Sequence, residues 1–433
     1  MGGRMLKRVL MVAFHFPPLR GSSGIQRALK FAQYLPALGW QPLVLSAHPR
    51  AYANQGPDQL AEIPPEAVVK RAFALDTARH LSWRGRYFGF TAWPDRFAGW
   101  VLGAVPAGLA LVRQYRPQVL WTTYPIASAT LIGLLLHKLT RLPWVVDLRD
   151  PMTDVNYPPD PRLRSIWRWI ERKAVENAAL VVCNTPSAVV TYTTRYPALP
   201  RSRFAMLENG YDEENFRSAA QAPAKARAAG QPFTLIHSGI VYPSERDPRP
   251  LVRALAELKA AGAIDAGQLH IVLRATNHDD YLRGLLAEHG VSELVSLAPH
   301  VPYQAALAEM LAADGLLLLQ ATNCNHQIPA KLYEYLRAGR PILALTDAAG
   351  DTAATLRAAG VDTIAPLDDS EGIKHGLLHF LQLAREGRAP LPAPAAVAAA
   401  SRQARTVELA RMLDSVLPPS QALQASARST EEA

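Results

Sequence analysis

The feature that most constrains this chain is an alternation, run through twice, of short β-branched or Leu-rich segments with amphipathic helical patterns. Apolar runs of about four to eight residues, separated by helices, are the pattern of parallel strands buried on both faces, with the helices as crossovers. In the first pass the strands are expected at Val9–Phe14, Pro42–Ser46, Val68–Phe73, Val119–Thr123, Trp144–Leu148 and Leu180–Asn184. The clearest helix is Ile25–Leu38, with Ile25, Ala28, Leu29, Ala32 and Leu35 at helical spacing and Gly39 as its stop. After Phe216 the segment RSAAQAPAKARAAGQP loses apolar periodicity and reads as a linker. A second pass starts at Phe233–Gly239 and continues with strands at Leu269–Arg274, Leu294–Leu297, Gly315–Gln320 and Ile342–Leu345. Helices are expected between them at Pro250–Ala260, Tyr281–His289, Tyr303–Ala313 and Pro329–Ala338.

The expected organisation is therefore an α/β chain of two open, Rossmann-like domains. The first covers 1–216, a linker 217–232 and the second 233–390. A crossover segment and helix follow over 391–417, with a disordered tail from 418. In such sheets ligands bind beyond the carboxyl ends of the strands, so the loops after those strands should line a cleft between the domains.

Composition narrows the partners. Of 433 residues, 49% are apolar and 19% charged, ample for buried cores and incompatible with disorder over most of the chain. Forty-six Lys and Arg against 37 Asp and Glu give 46 − 37 = +9. The excess is uneven: residues 1–57 carry seven basic side chains and no acid, and all eight Trp lie within the first 169 residues. Two cysteines, Cys183 and Cys324, make neither a disulfide framework nor a CxxC pair, which points to a reducing, cytosolic compartment. The start MGGRMLKRVLMVAF imitates a signal peptide, but HFPPLRGSSG follows without a small-residue cleavage site, so it reads as a first buried strand. The longest uncharged stretches, Phe97–Val112 and Pro117–Leu136, are interrupted by proline or polar residues and read as packed elements, not membrane spans.

Four loops could carry chemistry. Gly21, Ser22, Ser23 and Gly24 follow the first strand at a helix start, where glycines let a backbone approach an anion and free N–H groups face it; an ordinary capped turn explains them equally. In NCNHQIPAKLYEYLRAGRPILAL, Pro329 suits the first helical turn and Gly339 the C′ position, while Lys331 and Glu334 share one face. A cation there can hold a diphosphate and a carboxylate one turn on can accept two ribose hydroxyls; a solvent-exposed Lys–Glu pair is the alternative. Arg246, in HSGIVYPSERDP, suits bidentate phosphate recognition or a surface pair with a neighbouring acid. Asp147, Arg149 and Asp150 follow a very apolar strand, as a reactive cluster or as an internal ion-pair network.

Taken in order, HFPP…GSSGIQRALKFAQYL, LPWVVDLRDP, ENGYDEENF, HSGIVYPSERDP and IPAKLYEYLRAGRPIL resemble the GT-B glycosyltransferases of the family 4 type, which are retaining and nucleotide-sugar-dependent. The resemblance runs from about Leu6 to Leu417. It implies two Rossmann-like domains facing across a cleft, with the C-terminal helix crossing back to the first, the donor held by the second domain and the acceptor by the first. It implies that Arg246 and Lys331 hold the donor diphosphate, with Gly21–Gly24 approaching it, that Glu334 binds the ribose and that the backbone at Val301 meets the base. His326 replaces the first glutamate of the family's pair, eight residues before Glu334, where the sugar is contacted. Asp147 stands near the place where many relatives have a histidine beside the reacting sugar.

Breaking a glycosidic bond to a nucleotide requires the leaving diphosphate to be stabilised while positive charge develops at the anomeric carbon. The chain contains no D-x-D, so Arg246, Lys331 and helix N-termini are expected to supply that charge without a metal ion or other cofactor. The expectation is transfer to a glycan or lipid-linked acceptor in polysaccharide or glycoconjugate assembly. The rivals are a nucleotide-sugar 2-epimerase, which needs acid/base groups converging on a sugar carbon, and a donor-binding, inactive scaffold that His326 suggests. A basic, Trp-rich first domain fits an enzyme of the cytoplasm resting on the anionic inner face of the membrane without spanning it, and no nucleic acid. Core packing of the Trp residues is the competing account.

Overall fold

The computed structural model describes residues 6–21, 24–57, 59–221 and 230–418. The chain divides into two compact units, one formed by 1–209 with 402–433 and the other by 210–401.

The first unit is built on a seven-stranded parallel sheet: β1 (Lys7–Val12), β2 (Trp40–Ala47), β3 (Val68–Ala72), β4 (Val119–Thr123), β5 (Trp144–Arg149), β6 (Leu180–Cys183) and β7 (Phe204–Met206). Their order across the sheet is β3-β2-β1-β4-β5-β6-β7, and every pairing is parallel. Chain direction across the sheet therefore reverses between β1 and β4, and the loops after these two strands diverge to leave room for a ligand. The central strands are buried on both faces because each face carries its own apolar layer, one containing Leu10, Val12 and Trp144, the other Val9, Met11 and Trp121.

The helix Gly24–Tyr34 turns Ile25, Ala28, Leu29 and Ala32 into the second layer. It ends earlier than expected: a 3₁₀ turn over Pro36–Leu38 follows, and Gly39 (φ 81°) closes it with its N–H on the Pro36 carbonyl. Leu409, Ala410 and Leu413 of the last helix, Arg402–Ser415, lie in the same apolar layer, so the C-terminal segment completes the first unit. The uncharged stretches become the helix Gly99–Tyr115, with Pro106 inside it, then β4 and the helix Ala127–Thr140. Among the described residues no helix is long and apolar enough to cross a membrane.

The tryptophans are mostly core. Trp40, Trp100, Trp121 and Trp144 are fully buried and Trp167 nearly so, because large rings fill the spaces between sheet and helices; only Trp83, Trp93 and Trp169 reach solvent.

The second unit repeats the plan with β8 (Phe233–Ser238), β9 (Leu269–Arg274), β10 (Val295–Ala298), β11 (Gly315–Leu319), β12 (Ile342–Leu345) and β13 (Ile364–Ala365). The order is β10-β9-β8-β11-β12-β13, again all parallel, with the reversal between β8 and β11. Gly315 pairs with Leu235 there, and a Cβ on Gly315 would come within 2.8 Å of the Leu235 side chain. Residues 213–220, expected to be split between the first domain and the linker, form one helix capped by Asp212, and Phe216 and Ala219 bury in the second unit. The remainder of the expected linker at 222–229, and the tail at 419–433, lie outside the described residues.

One buried ion pair ties the first unit together. Arg27, on the first helix, donates from Nε to Asp147 Oδ2 (2.7 Å) and from Nη2 to Oδ1 (3.0 Å), with both side chains shielded from water. The same guanidinium donates to the carbonyls of Leu207 and Glu208 beyond β7, and Thr123 on β4 donates to Asp147 Oδ2. Asp147→Asn leaves Arg27 buried without its counter-charge and should cost about 3–5 kcal/mol. Urea unfolding followed by Trp fluorescence reads this unit alone, since all eight Trp belong to it. The double replacement Arg27→Met/Asp147→Leu should recover much of the loss.

Candidate functional site

At the switch point of the second unit the loops after β8 and β11 are sewn together. The Ala321 N–H donates to the Glu245 carbonyl (2.8 Å) and Asn323 Nδ2 to the Ser244 carbonyl (2.9 Å). Into this junction the helix Lys331–Ala338 delivers Lys331 from its first turn. Pro329 stands just ahead of that helix, not within it, and its carbonyl accepts the Leu332 N–H. Gly339 (φ 63°) closes the other end as expected from its position.

Lys331 Nζ lies 3.0 Å from His237 Nε2, a contact the sequence alone does not suggest. The tautomer follows from the other ring nitrogen: Nδ1 lies 2.9 Å from the Leu317 carbonyl, which can only accept, so Nδ1 carries the hydrogen and Nε2 offers a lone pair to the ammonium. Burial, followed by the charge of Lys331, holds His237 well below its ordinary pKa and keeps it neutral. Lys331 is in turn held well below the usual lysine range, by burial first and by Arg246 second, with Glu334 opposing. Arg246 is anchored by donation from Nη1 to the Ile240 carbonyl (2.7 Å) and stacks over Tyr242 at 5.3 Å. Gly239 (φ 112°) is required twice: its conformation disfavours side chains, and a Cβ would sit 3.0 Å from Lys331 Nζ.

Glu334 lies on the same helix turn and accepts from the Tyr303 hydroxyl at 2.7 Å, two residues beyond Val301 in the loop after β10. His326 is half-buried in the loop between β11 and the helix. Gln320 holds that loop with bonds from Nε2 to the carbonyls of Cys324 and Gln327, both 2.9 Å. The second unit thus brings Arg246, Lys331 and Glu334 to its switch point, with His326 on the loop leading into the Lys331 helix.

In the first unit the corresponding loops hold a second polar cluster. Gly21 (φ 80°) turns the chain, and Gly24 opens the helix against His15, whose Nδ1 would be 2.5 Å from a Cβ at Gly24, with Arg149 Nη1 at 3.3 Å. Ser22 and Ser23 lie outside the described residues. Arg149 adopts a left-handed backbone (φ 62°), its Nη1 donates to the Tyr124 carbonyl, and its buried Nε has no hydrogen-bond partner. A strained non-glycine residue with an orphaned donor at a strand end marks a place built for more than packing. Asp150 is pushed above the usual carboxylate range by burial, against the pull of Arg149 and of a hydrogen bond with Asn184. Asp147 differs from its neighbours: both of its oxygens are engaged by Arg27, so the carboxylate expected beside a reacting sugar serves as an internal anchor. His15, which sequence reasoning passed over, lies with Arg149 beside Gly24, and burial together with that charge pushes it down to about 4.

A parallel sheet of this order, repeated in two units and carrying its polar side chains at each switch point, defines the GT-B class of fold. Solved structures agree: sucrose-phosphate synthase from Thermosynechococcus elongatus (14% identity, TM-score 0.58, 98% of each chain), Anabaena HepE in complex with UDP (13%, 0.64, 95% of this chain and 100% of that one) and WaaG, a glycosyltransferase involved in lipopolysaccharide biosynthesis (15%, 0.58, 94% and 99%). At these identities the likeness establishes the fold. No curated protein sequence matches the chain. Residues 23–210 match the glycosyl transferase 4-like domain, and the chain is a glycosyltransferase of GT-B fold carrying that domain in its first unit.

The His15 depression from 6.5 to about 4 has a consequence for stability. The unfolded chain binds the proton that the folded chain refuses, so the contribution of a neutral His15 is complete above about pH 6.5 and is lost as pH falls towards 4. At about 1.4 kcal/mol per unit this amounts to about 3 kcal/mol. His15→Gln should flatten that limb of the stability–pH profile in Trp-fluorescence urea titrations; an unchanged profile would contradict a buried, neutral His15.

Proposed function

We propose that the chain transfers a sugar from a nucleotide-sugar donor to a glycan or lipid-linked acceptor, with retention at the anomeric carbon and without a metal ion, in the assembly of a polysaccharide or glycoconjugate. The observation that carries this reading is the meeting of Lys331 and Arg246 at one switch point, where burial and the neighbouring Arg246 disfavour the charge of Lys331. A folded chain that holds two cations together, one of them desolvated, gains by receiving an anion there, and a diphosphate brings enough negative charge for both. Structural neighbours support the donor class: HepE has been solved in complex with UDP, with UDP-glucose, and with UDP and glucose.

Each residue then has a role. Arg246 and Lys331 hold the diphosphate and stabilise it as the bond from the anomeric carbon to its oxygen breaks and the electron pair leaves with the phosphate. The bare Gly239 lets backbone approach the phosphates, the role expected also of Gly21, Ser22, Ser23 and Gly24. Glu334, oriented by Tyr303, accepts the ribose hydroxyls, and the backbone at Val301 meets the base. His326 contacts the sugar, where an imidazole in place of a carboxylate changes which sugar is accepted. Retention requires the acceptor oxygen to bond to the anomeric carbon on the face that the diphosphate leaves, so the hydroxyl proton passes to the departing phosphate oxygen. Asp150 and Arg149 face the reacting sugar and acceptor with neutral His15 beside them, and Asp147 acts through Arg27 as a positioning residue. The reaction takes place in the cytoplasm, at the inner face of the membrane when the acceptor is lipid-linked.

The test is a panel of nucleotide sugars with and without acceptor, followed by nucleoside diphosphate release. Acceptor-dependent release with retained anomeric configuration is expected. Interconversion of the sugar without release would mean an epimerase, and binding without either a scaffold. Lys331→Ala should lower turnover by about 100-fold or more, as loss of one charge-stabilising group does, and Glu334→Ala should abolish donor binding or turnover. Turnover should survive EDTA; loss in EDTA restored by Mg²⁺ would overturn metal independence.

A further inference from the structure

The first unit carries an excursion that the proposed chemistry does not use. Residues 77–94 leave the fold between β3 and the helix Gly99–Tyr115 and return to their starting point. Their ends are pinned: the Thr77 N–H donates to the Arg96 carbonyl (2.8 Å), Arg96 Nε to the buried carboxylate of Asp76 (2.7 Å) and Thr77 Oγ1 to the Thr91 carbonyl (2.8 Å). Trp167 Nε1 donates to the Pro94 carbonyl (2.7 Å) and Arg79 Nη1 to that of Tyr52 (2.8 Å), fixing both sides to the core.

The tip is equally ordered. Trp83 and Arg86 exchange backbone hydrogen bonds of 2.7 and 3.0 Å around Arg84 (φ 49°) and Gly85 (φ 77°), a two-residue turn with both central residues left-handed. On this frame Trp83 is 77% exposed, Phe88 75% and Phe90 63%, with Leu81, Tyr87 and Trp93 exposed beside them. Phe88 and Phe90 stack at 5.7 Å in water. Arg79, Arg84 and Arg86 are interleaved with these side chains, and no acid occurs from Thr77 to Pro94. The flanking acids are engaged elsewhere, Asp76 by Arg96 and Asp95 by the backbone N–H groups of Phe97 and Ser128.

Exposed aromatic rings on a pinned frame mark an interaction surface, and their interleaving with arginines selects the partner. An anionic bilayer supplies an apolar layer for the rings and negative charge for the arginines within one interface. We propose that residues 81–93 dock the first unit on an anionic lipid surface, with Trp83, Phe88 and Phe90 entering the headgroup layer. The proposal deepens the lipid-linked acceptor read above and rests on that reading for its purpose, but not for its physics.

The full chain should co-sediment with vesicles of phosphatidylcholine mixed with phosphatidylglycerol far better than with phosphatidylcholine alone. Arg84→Ser/Arg86→Ser should weaken that binding about 30-fold, two basic residues each contributing about 1 kcal/mol at the surface. Trp83→Ser/Phe88→Ser/Phe90→Ser should weaken it about ten-fold or more even at high salt, where the charge contribution is screened. Unchanged urea midpoints and an unchanged thermal shift with UDP would show that both variants fold. The proposal is overturned if the wild type fails to bind anionic vesicles at low salt, if both variants bind like it, or if the wild type is a dimer that the aromatic replacements convert to monomer. If UDP gives no thermal shift while vesicle binding behaves as described, the docking surface stands and the transferase reading falls.

Discussion

The contact on which the proposed chemistry depends is the ammonium of Lys331 lodged against the neutral imidazole of His237. Glu334 offsets the cost of burying the Lys331 charge only in part, and Arg246 adds repulsion. The arrangement persists because the β8–β11 register fixes the Leu317 carbonyl opposite His237 and the two loops are bonded to each other. A scaffold that holds two cations with only partial compensation is preorganised for an incoming anion, and its reorganisation cost is met in folding, before substrate arrives.

The first unit solves the opposite problem. There a full charge pair, Arg27 with Asp147, is buried and satisfied, and it joins the first helix, β5 and the segment after β7. Next to it the chain departs from comfortable geometry: Arg149 is left-handed and lacks a partner at Nε, and Asp150 sits where burial disfavours its charge. The satisfied pair supplies the rigidity that lets its two neighbours remain strained and incompletely paired.

Much of this was legible in the sequence. Apolar periodicity located every strand of four residues or more, because parallel strands buried on both faces leave a continuous signal. It missed β7, of three residues, and β13, of two, which are too short to show a period. Lys331 and Glu334 were readable because helical spacing places them on one turn. Asp147 was readable as a buried carboxylate but not as a partner of Arg27, since 120 residues separate them and only the sheet order brings them together. His15 and His237 carry no local signal; their roles arise from burial and from neighbours supplied by other strands. The tryptophan clustering was real, but most of it reflects core packing, and of the three exposed tryptophans Trp83 and Trp93 lie in one pinned excursion and Trp169 outside it.

The most direct test of the central claim is whether diphosphate binding draws a proton onto Lys331. Calorimetric titration with UDP, at neutral to alkaline pH and in buffers of different ionisation enthalpy, reads the protons taken up on binding. A lysine whose charge burial disfavours in the free protein should hold its proton more tightly beside a diphosphate, so towards alkaline pH the heat should vary with buffer in the sense of uptake, and Lys331→Met should abolish that variation. Binding with the same heat in every buffer, or uptake that persists in Lys331→Met, would contradict the account.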